Sequence, residues 1–176
     1  MKTVILYGDQ KENEMDSAFI DILLPYTNLL YVSEKYIVKK QSDSKENTLI
    51  ISCDKVPQIK NMQGVFIFKN SFCNFETSCF PDNFIPIFDS HNLKAANILK
   101  NIKRTAISCG NSKKSTFSLS GIKENVATVS LQRYISTINS NTVEPLDTCI
   151  FFNDNCDINC ILSAAAALFI LGLKNK

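Results

Sequence analysis

The apolar positions of this chain fall first in short unbroken runs and later in alternating ones, and that change sets the expected fold. Residues 3–7, Thr-Val-Ile-Leu-Tyr, form a β-branched and aromatic run ended by Gly8, the pattern of a buried strand with its breaker. Behind it, Met15, Ala18, Phe19, Ile22 and Leu23 recur at helical spacing, which predicts a helix over residues 14–24 that Pro25 stops. Further β-rich pieces lie at residues 29–32 and 36–38. They lead into a polar segment, residues 39–47, that carries both signs of charge and reads as a loop. Apolar runs at residues 48–52, 64–69 and 84–88 continue the series of strands.

From Asp89 the period changes. Leu93, Ala96, Asn97 and Leu99 fit a helix capped by Asp89 or Ser90, and a strand over residues 104–108 follows, ending at Cys109-Gly110. Strands alternating with helices predict a mainly parallel sheet. Residues 115–120 and 126–131 instead alternate apolar and polar side chains across Gly121-Ile122-Lys123-Glu124-Asn125, which predicts an antiparallel hairpin. A last strand is expected at residues 149–152. A closing helix capped by Asp154 or Asp157 then runs to Leu171, with Gly172 near its C-terminus. Its run of Ala164, Ala165, Ala166 and Ala167 permits close approach to a sheet. The expected architecture is a single α/β domain over residues 1–176. It has three layers, a mostly parallel central sheet, a late antiparallel hairpin and a buried Ala-rich C-terminal helix. A sub-boundary, if one exists, falls near residues 39–47 or 70–83, and no internal repeat or low-complexity tract interrupts the chain.

Composition narrows the function classes. Hydrophobic residues make up 45% and charged residues 20% of 176, which suits one globular domain and not a disordered chain. A net charge of +2, with lysines interspersed among acids, gives no basic stripe for nucleic acid. The N-terminal apolar run is too short for a signal peptide, and the apolar stretch at residues 161–173 is too short for a bilayer span. A cytoplasmic protein without membrane association is therefore expected. Its seven cysteines, an odd number, read as reduced thiols.

The candidate chemistry is sparse. Gly8-Asp9 after a strand resembles half of a nucleotide-binding turn but lacks the further glycines that bring backbone to a pyrophosphate. Gly110-Asn111-Ser112-Lys113-Lys114-Ser115-Thr116 resembles a worn phosphate loop. A working loop has glycine directly before its Lys-Ser/Thr pair and a helix after it, whereas Lys113 holds that place and a strand is expected to follow. His91 lies beside Asp89, a pairing suited to general acid–base work or to a cap. As the chain has one histidine, a His-based metal site is excluded. Cys156 and Cys160 have the spacing of a zinc pair, but on one helix they read better as small core residues, and no metal or other cofactor is expected. The ligand-binding candidates are Asp89, His91, Gly110, Lys113, Lys114 and Ser115. No residue stands out as catalytic.

The order of parts from residue 84 to residue 173 resembles the later half of the central domain of Mur ligases. These ATP-dependent enzymes add amino acids to peptidoglycan precursors. "FIPIFDSHNLKAANILKNI" is similar to that family's strand, acidic turn and helix. "RTAISCG" is similar to its strand ending in Thr-x-Gly, with the hairpin "STFSLSGIKENVATVSL" next and then "CDINCILSAAAALFILGL", similar to a closing Ala-rich helix ending in Leu-Gly. The chain departs from the family at its chemistry. Nothing before Phe84 supplies the Gly-Lys-Thr of a phosphate loop, and where the family carries His-Asn-x-x-Asn this chain holds Cys156, Asp157 and Cys160. The length left after the closing helix has no room for the family's C-terminal ligase domain. The resemblance thus implies a bacterial, Mur-like binding or structural module without catalysis, linked to cell-wall precursor metabolism and taking a partner protein or a small molecule. The alternative is a small enzyme or nucleotide-binding protein that uses residues 110–116 with Asp89 and His91.

Overall fold

A computed structural model describes residues 1–10, 13–153 and 156–174. Among these residues the chain forms β1 (Lys2–Tyr7), α1 (Asn13–Leu23), β2 (Asn28–Val32), β3 (Ile37–Lys40), β4 (Asn47–Cys53), β5 (Gln63–Phe68), β6 (Phe84–Asp89) and α2 (Leu93–Asn101). It continues through β7 (Ile107–Cys109), β8 (Phe117–Lys123), β9 (Val126–Leu131), β10 (Ile135–Ser136), β11 (Thr142–Val143), β12 (Leu146–Phe151) and α3 (Ile158–Ile170). The ten strands of the main sheet are ordered β12-β9-β8-β7-β6-β5-β1-β4-β2-β3. From β2 to β8 neighbouring strands run parallel, while β3 at one edge and β9 with β12 at the other pair antiparallel. β10 and β11 make a separate two-stranded ribbon.

Strand alternation explains why the runs are apolar without a break. In β1, Val4 and Leu6 face one side and Ile5 and Tyr7 the other; in β5, Val65 and Ile67 oppose Phe66 and Phe68 in the same way. Both sides are covered, so neither can be polar. The first side packs against Phe19, Ile22 and Leu23 of α1 and against all of the buried length of α3. The second packs against Ala95 and Leu99 of α2 and the aromatic side chains Phe72 and Phe80. Residues 70–83, one of the places where a sub-boundary is expected, are the segment that carries those aromatics onto the sheet.

The expected fold class is the one observed, and the differences lie at element boundaries. Asn92 caps α2, its side chain accepting from the Ala95 amide at 3.0 Å. Asp89 turns the chain one step earlier, its carboxylate taking the His91 amide at 2.9 Å. The strand expected at residues 104–108 begins at Ile107, because Lys103 is in the left-handed region (φ 53°) and the Arg104 amide still bonds back to Leu99. The first hairpin strand starts at Phe117 and runs through Gly121 to Lys123. A bulge between Leu119 and Gly121 absorbs the break in alternation. Cys156 precedes α3, so it does not share a helical face with Cys160. Asp157 stands at the N-cap position of α3, but its side chain makes no capping hydrogen bond there; Asp154, the other expected cap, lies outside the described residues.

α3 ends in a Schellman arrangement. The Gly172 amide bonds to Phe169 and the Leu173 amide to Leu168, with Gly172 at φ 61°, where a β-carbon would be strained. Ala164, Ala165, Ala166 and Ala167 are each 0% exposed, on a helix packed against both α1 and the sheet. Ala165→Leu or Ala166→Leu is expected to overpack this layer and lower stability by about 1–3 kcal/mol, read from the urea midpoint. An unchanged midpoint for both would mean that the helix does not press on the sheet.

Candidate functional site

The strand order reverses its direction of growth at β1. From β1 the chain passes through α1 to the β4–β2 side, whereas from β5 it steps outward to β6 and β7. In open α/β sheets the crevice outside the carboxyl ends of strands at such a switch is where ligands sit. A cleft of about 650 Å3 opens there, lined by residues that follow β1, β4 and β5. Among the described residues its walls include Tyr7 and Phe72, the carboxylates of Asp9, Asp54 and Glu76, and one cation, Lys55.

Beneath the cleft, Lys69, the residue just after β5, is fully buried and meets Asp16 of α1, Nζ to Oδ1 at 2.8 Å. Tyr31 and Ser52 each donate a hydroxyl to Asp16 Oδ2 at 2.8 Å. The Lys69 ammonium also donates to Ser52 Oγ at 3.2 Å and to the Asp9 carbonyl at 3.4 Å. Burial, with the Asp16 bond second, holds the Tyr31 phenol well above its ordinary range. Gly8 is required above this pair: a β-carbon there would lie 2.6 Å from Lys69 Cβ. Four elements thus bring their polar atoms to one buried point, and a loop closes over it.

Over that floor the segment after β5 is held by side chains. Lys94 of α2 donates to the Phe72 carbonyl at 3.3 Å and to that of Cys73, and the Tyr7 hydroxyl donates to that of Asn74. The Lys94 ammonium also lies 4.9 Å from the centre of the Phe72 ring. Burial, reinforced by the neighbouring Cys53, Asp54, Cys73 and Cys79, holds the Tyr7 phenol above its ordinary range.

The residues expected from the sequence lie further along the same edge, at the ends of β6 and β7. Asp89 is buried and its two oxygens are taken, Oδ2 by Asn70 at 3.0 Å and Oδ1 by the His91 amide and ring nitrogen. The His91 ring itself is largely in solvent, with its side chain 73% exposed. Gly110 packs beneath Ser90 and beside Ser115, whose hydroxyl is buried without a hydrogen-bond partner. Lys113 and Lys114 are exposed on the turn, where Arg133 donates to the Lys114 carbonyl at 2.6 Å. Gly110 and Ser115 therefore come together, Asp89 lies across from Cys109 on the neighbouring strand with its oxygens spent on Asn70 and His91, and the two lysines are exposed to water. The turn runs into β8, a strand, as its sequence predicts.

The pair that sequence reasoning missed carries a legible signal. Asp16 sits three residues before Phe19 and seven before Leu23, on the buried arc of α1, and Lys69 ends an otherwise apolar strand run. An acid and a base placed where the pattern demands apolar side chains each call for a buried partner. Asp16→Ala is expected to cost about 3–5 kcal/mol, because it leaves the Lys69 charge buried and uncompensated. The double replacement Asp16→Leu with Lys69→Met should recover most of that loss in urea unfolding. A single-variant cost below about 1 kcal/mol would mean that Lys69 escapes to solvent.

Among the described residues no group of three or more His, Cys, Asp or Glu side chains is placed to hold a metal ion, and no helix is long and apolar enough to cross a membrane. No protein-family model matches the sequence, and no curated protein matches it. Among solved structures, the fold is similar to that of a murein peptide ligase, Mpl, from Psychrobacter arcticus 273-4, with a TM-score of 0.56 and 10% sequence identity. The alignment covers 97% of this chain and 44% of that one, so the chain spans less than half the length of the ligase it matches. This likeness of fold is consistent with a weak Mur-ligase-like resemblance.

Proposed function

We propose that this chain is a non-catalytic binding module on a Mur-ligase-like fold, acting in the cytoplasm on a ligand linked to cell-wall precursors. The observation that carries the reading is the charge of the switch-point cleft. Asp9, Asp54 and Glu76 line it against Lys55, and the one ammonium beneath it is bonded to Asp16. A polyphosphate entering this cleft meets a surplus of carboxylates and no loop of glycine amides to replace its water. A neutral or amine-bearing group is favoured instead, approaching Asp54 and Glu76 over the rings of Tyr7 and Phe72. The ligand is a small molecule or a segment of a partner protein. Neither nucleic acid nor membrane suits a surface of such small net charge.

The second reading, a small enzyme or nucleotide-binding protein built on residues 110–116 with Asp89 and His91, draws its support from the unbonded Ser115 hydroxyl beside Gly110. Against it, Asp89 is occupied by Asn70 and His91, and Lys113 and Lys114 act there only as solvated charges.

Calorimetric titration with ATP and magnesium separates the two. The expected result is no binding tighter than about 100 μM, a free energy near −5 to −6 kcal/mol, fading as salt is raised. Micromolar affinity abolished by Lys114→Ala would establish the second reading. In parallel, an amine-bearing peptidoglycan peptide should bind the native chain and lose affinity about tenfold on Asp54→Asn, the loss of one close charge contact. No binding of that peptide would remove the link to cell-wall precursors.

A further inference from the structure

The thiols of this chain occupy unlike surroundings. Cys109 and Cys160 are buried, Cys53 and Cys156 half-buried, and Cys73, Cys79 and Cys149 exposed. Burial pushes the Cys53 and Cys109 thiols up to about 12 and that of Cys156 to about 11, which withholds the reactive thiolate from each. Cys149 lies on β12, the edge strand farthest from the cleft end of the sheet. Cys73 and Cys79, in contrast, line the same cleft, six positions apart on the segment that joins β5 to β6. Both stand close enough to the Tyr7 hydroxyl to act on its ionisation.

The two thiols are carried by backbone of unequal firmness. Cys73 sits in the stretch whose carbonyls are held by Lys94 and Tyr7. Cys79 ends a single turn of 3-10 helix, Thr77–Cys79, whose bonds are local: the Cys79 amide to Glu76 and the Phe80 amide to Thr77. Its sulfur is 3.6 Å from a Glu76 carboxylate oxygen. One partner therefore sits on backbone held from α2 and β1, and the other ends a short turn whose backbone hydrogen bonds lie within its own segment, just before the buried ring of Phe80.

We propose that Cys73 and Cys79 are a redox-responsive pair that closes to an intramolecular disulfide when the protein meets a low-molecular-weight disulfide such as oxidised glutathione. One cysteine thiolate attacks a glutathione sulfur and releases one glutathione thiolate, which takes up the proton. The other cysteine then displaces the second glutathione from the mixed disulfide. The chain gives up two hydrogens with their electrons, and the oxidant leaves as two thiols. In a reducing compartment such bonds are transient and act as sensors. Closure would tether the 3-10 turn to the fixed stretch and narrow the cleft, whatever ligand the cleft holds.

The test is peptide mapping by mass spectrometry of the folded chain after exposure to oxidised glutathione. The expected product is a Cys73–Cys79 cross-link reversed by dithiothreitol, with Cys149 carrying a glutathione adduct. In Cys79→Ser the adduct at Cys73 should persist at least about tenfold longer than in the native chain, since its resolving thiol is gone. An unchanged near-ultraviolet circular dichroism spectrum would show that this exposed, nearly isosteric replacement leaves the fold intact. Stable glutathione adducts on both Cys73 and Cys79 of the native chain would overturn the proposal. So would a cross-link from either to Cys53, or the absence of any reaction at the pair.

Discussion

An ammonium and a carboxylate shut inside the molecule set the terms for everything at the carboxyl edge of the sheet. Lys69 and Asp16 come from β5's end and from α1, and Tyr31 of β2 and Ser52 of β4 complete their bonding. Such a pair gains little over well-packed apolar side chains, yet removing either member leaves a charge with no solvent to receive it. Its effect is to tie the helix after β1 to the strands on both sides of β1 in a single arrangement. Gly8 follows from that arrangement, because the loop passes directly over Lys69 Cβ. So does the character of the cleft, whose floor is the Gly8–Asp9 loop, with the Asp9 carbonyl turned down to Lys69, and not an exposed cation.

How much of this was legible in the sequence depended on whether the signal was periodic or pairwise. Periodic signals held. The runs at β1, β4 and β5, the stripe of α1, and the alternation of β8 and β9 all appear as elements because burial acts on every residue of them. Boundaries shifted where one local bond decided the matter, as at Asn92 capping α2 and Lys103 delaying β7. The aromatic layer was hidden for a different reason. Phe72, Phe75 and Phe80 lie in a stretch without helical or strand period, so nothing marked them as the cover for Tyr7, Phe66 and Phe68. Asp16 and Lys69 each break an apolar pattern, which is legible, but 53 positions (69 − 16) separate them and only the fold shows that they meet.

The candidate residues at 89–91 and 110–115 do share one edge of the sheet, as their places after adjacent strands required. Their chemistry is largely spent on shaping that edge. Asp89 builds a turn and gathers Asn70 and His91, and Gly110 leaves space for Ser90. What the parallel strands provide, then, is a common rim with two unlike regions: an acidic, aromatic cleft at the β1–β5 switch, and a lysine-bearing turn beyond β7.

The place of α3 in the order of elements bears on how the chain is made. It covers β5, β6, β7, β8 and β9 on one side of the sheet, yet it is the last described element to be synthesised. Until it emerges, Val65, Ile67, Ile87 and Phe117 have an unfinished side, and the contacts that finish it join residues from 52 positions apart (169 − 117), as for Phe117 with Phe169, to about a hundred for those of β5. A ribosome-bound chain stalled before residue 158 therefore presents a broad apolar sheet to its surroundings, the kind of surface that chaperones hold and that aggregation exploits.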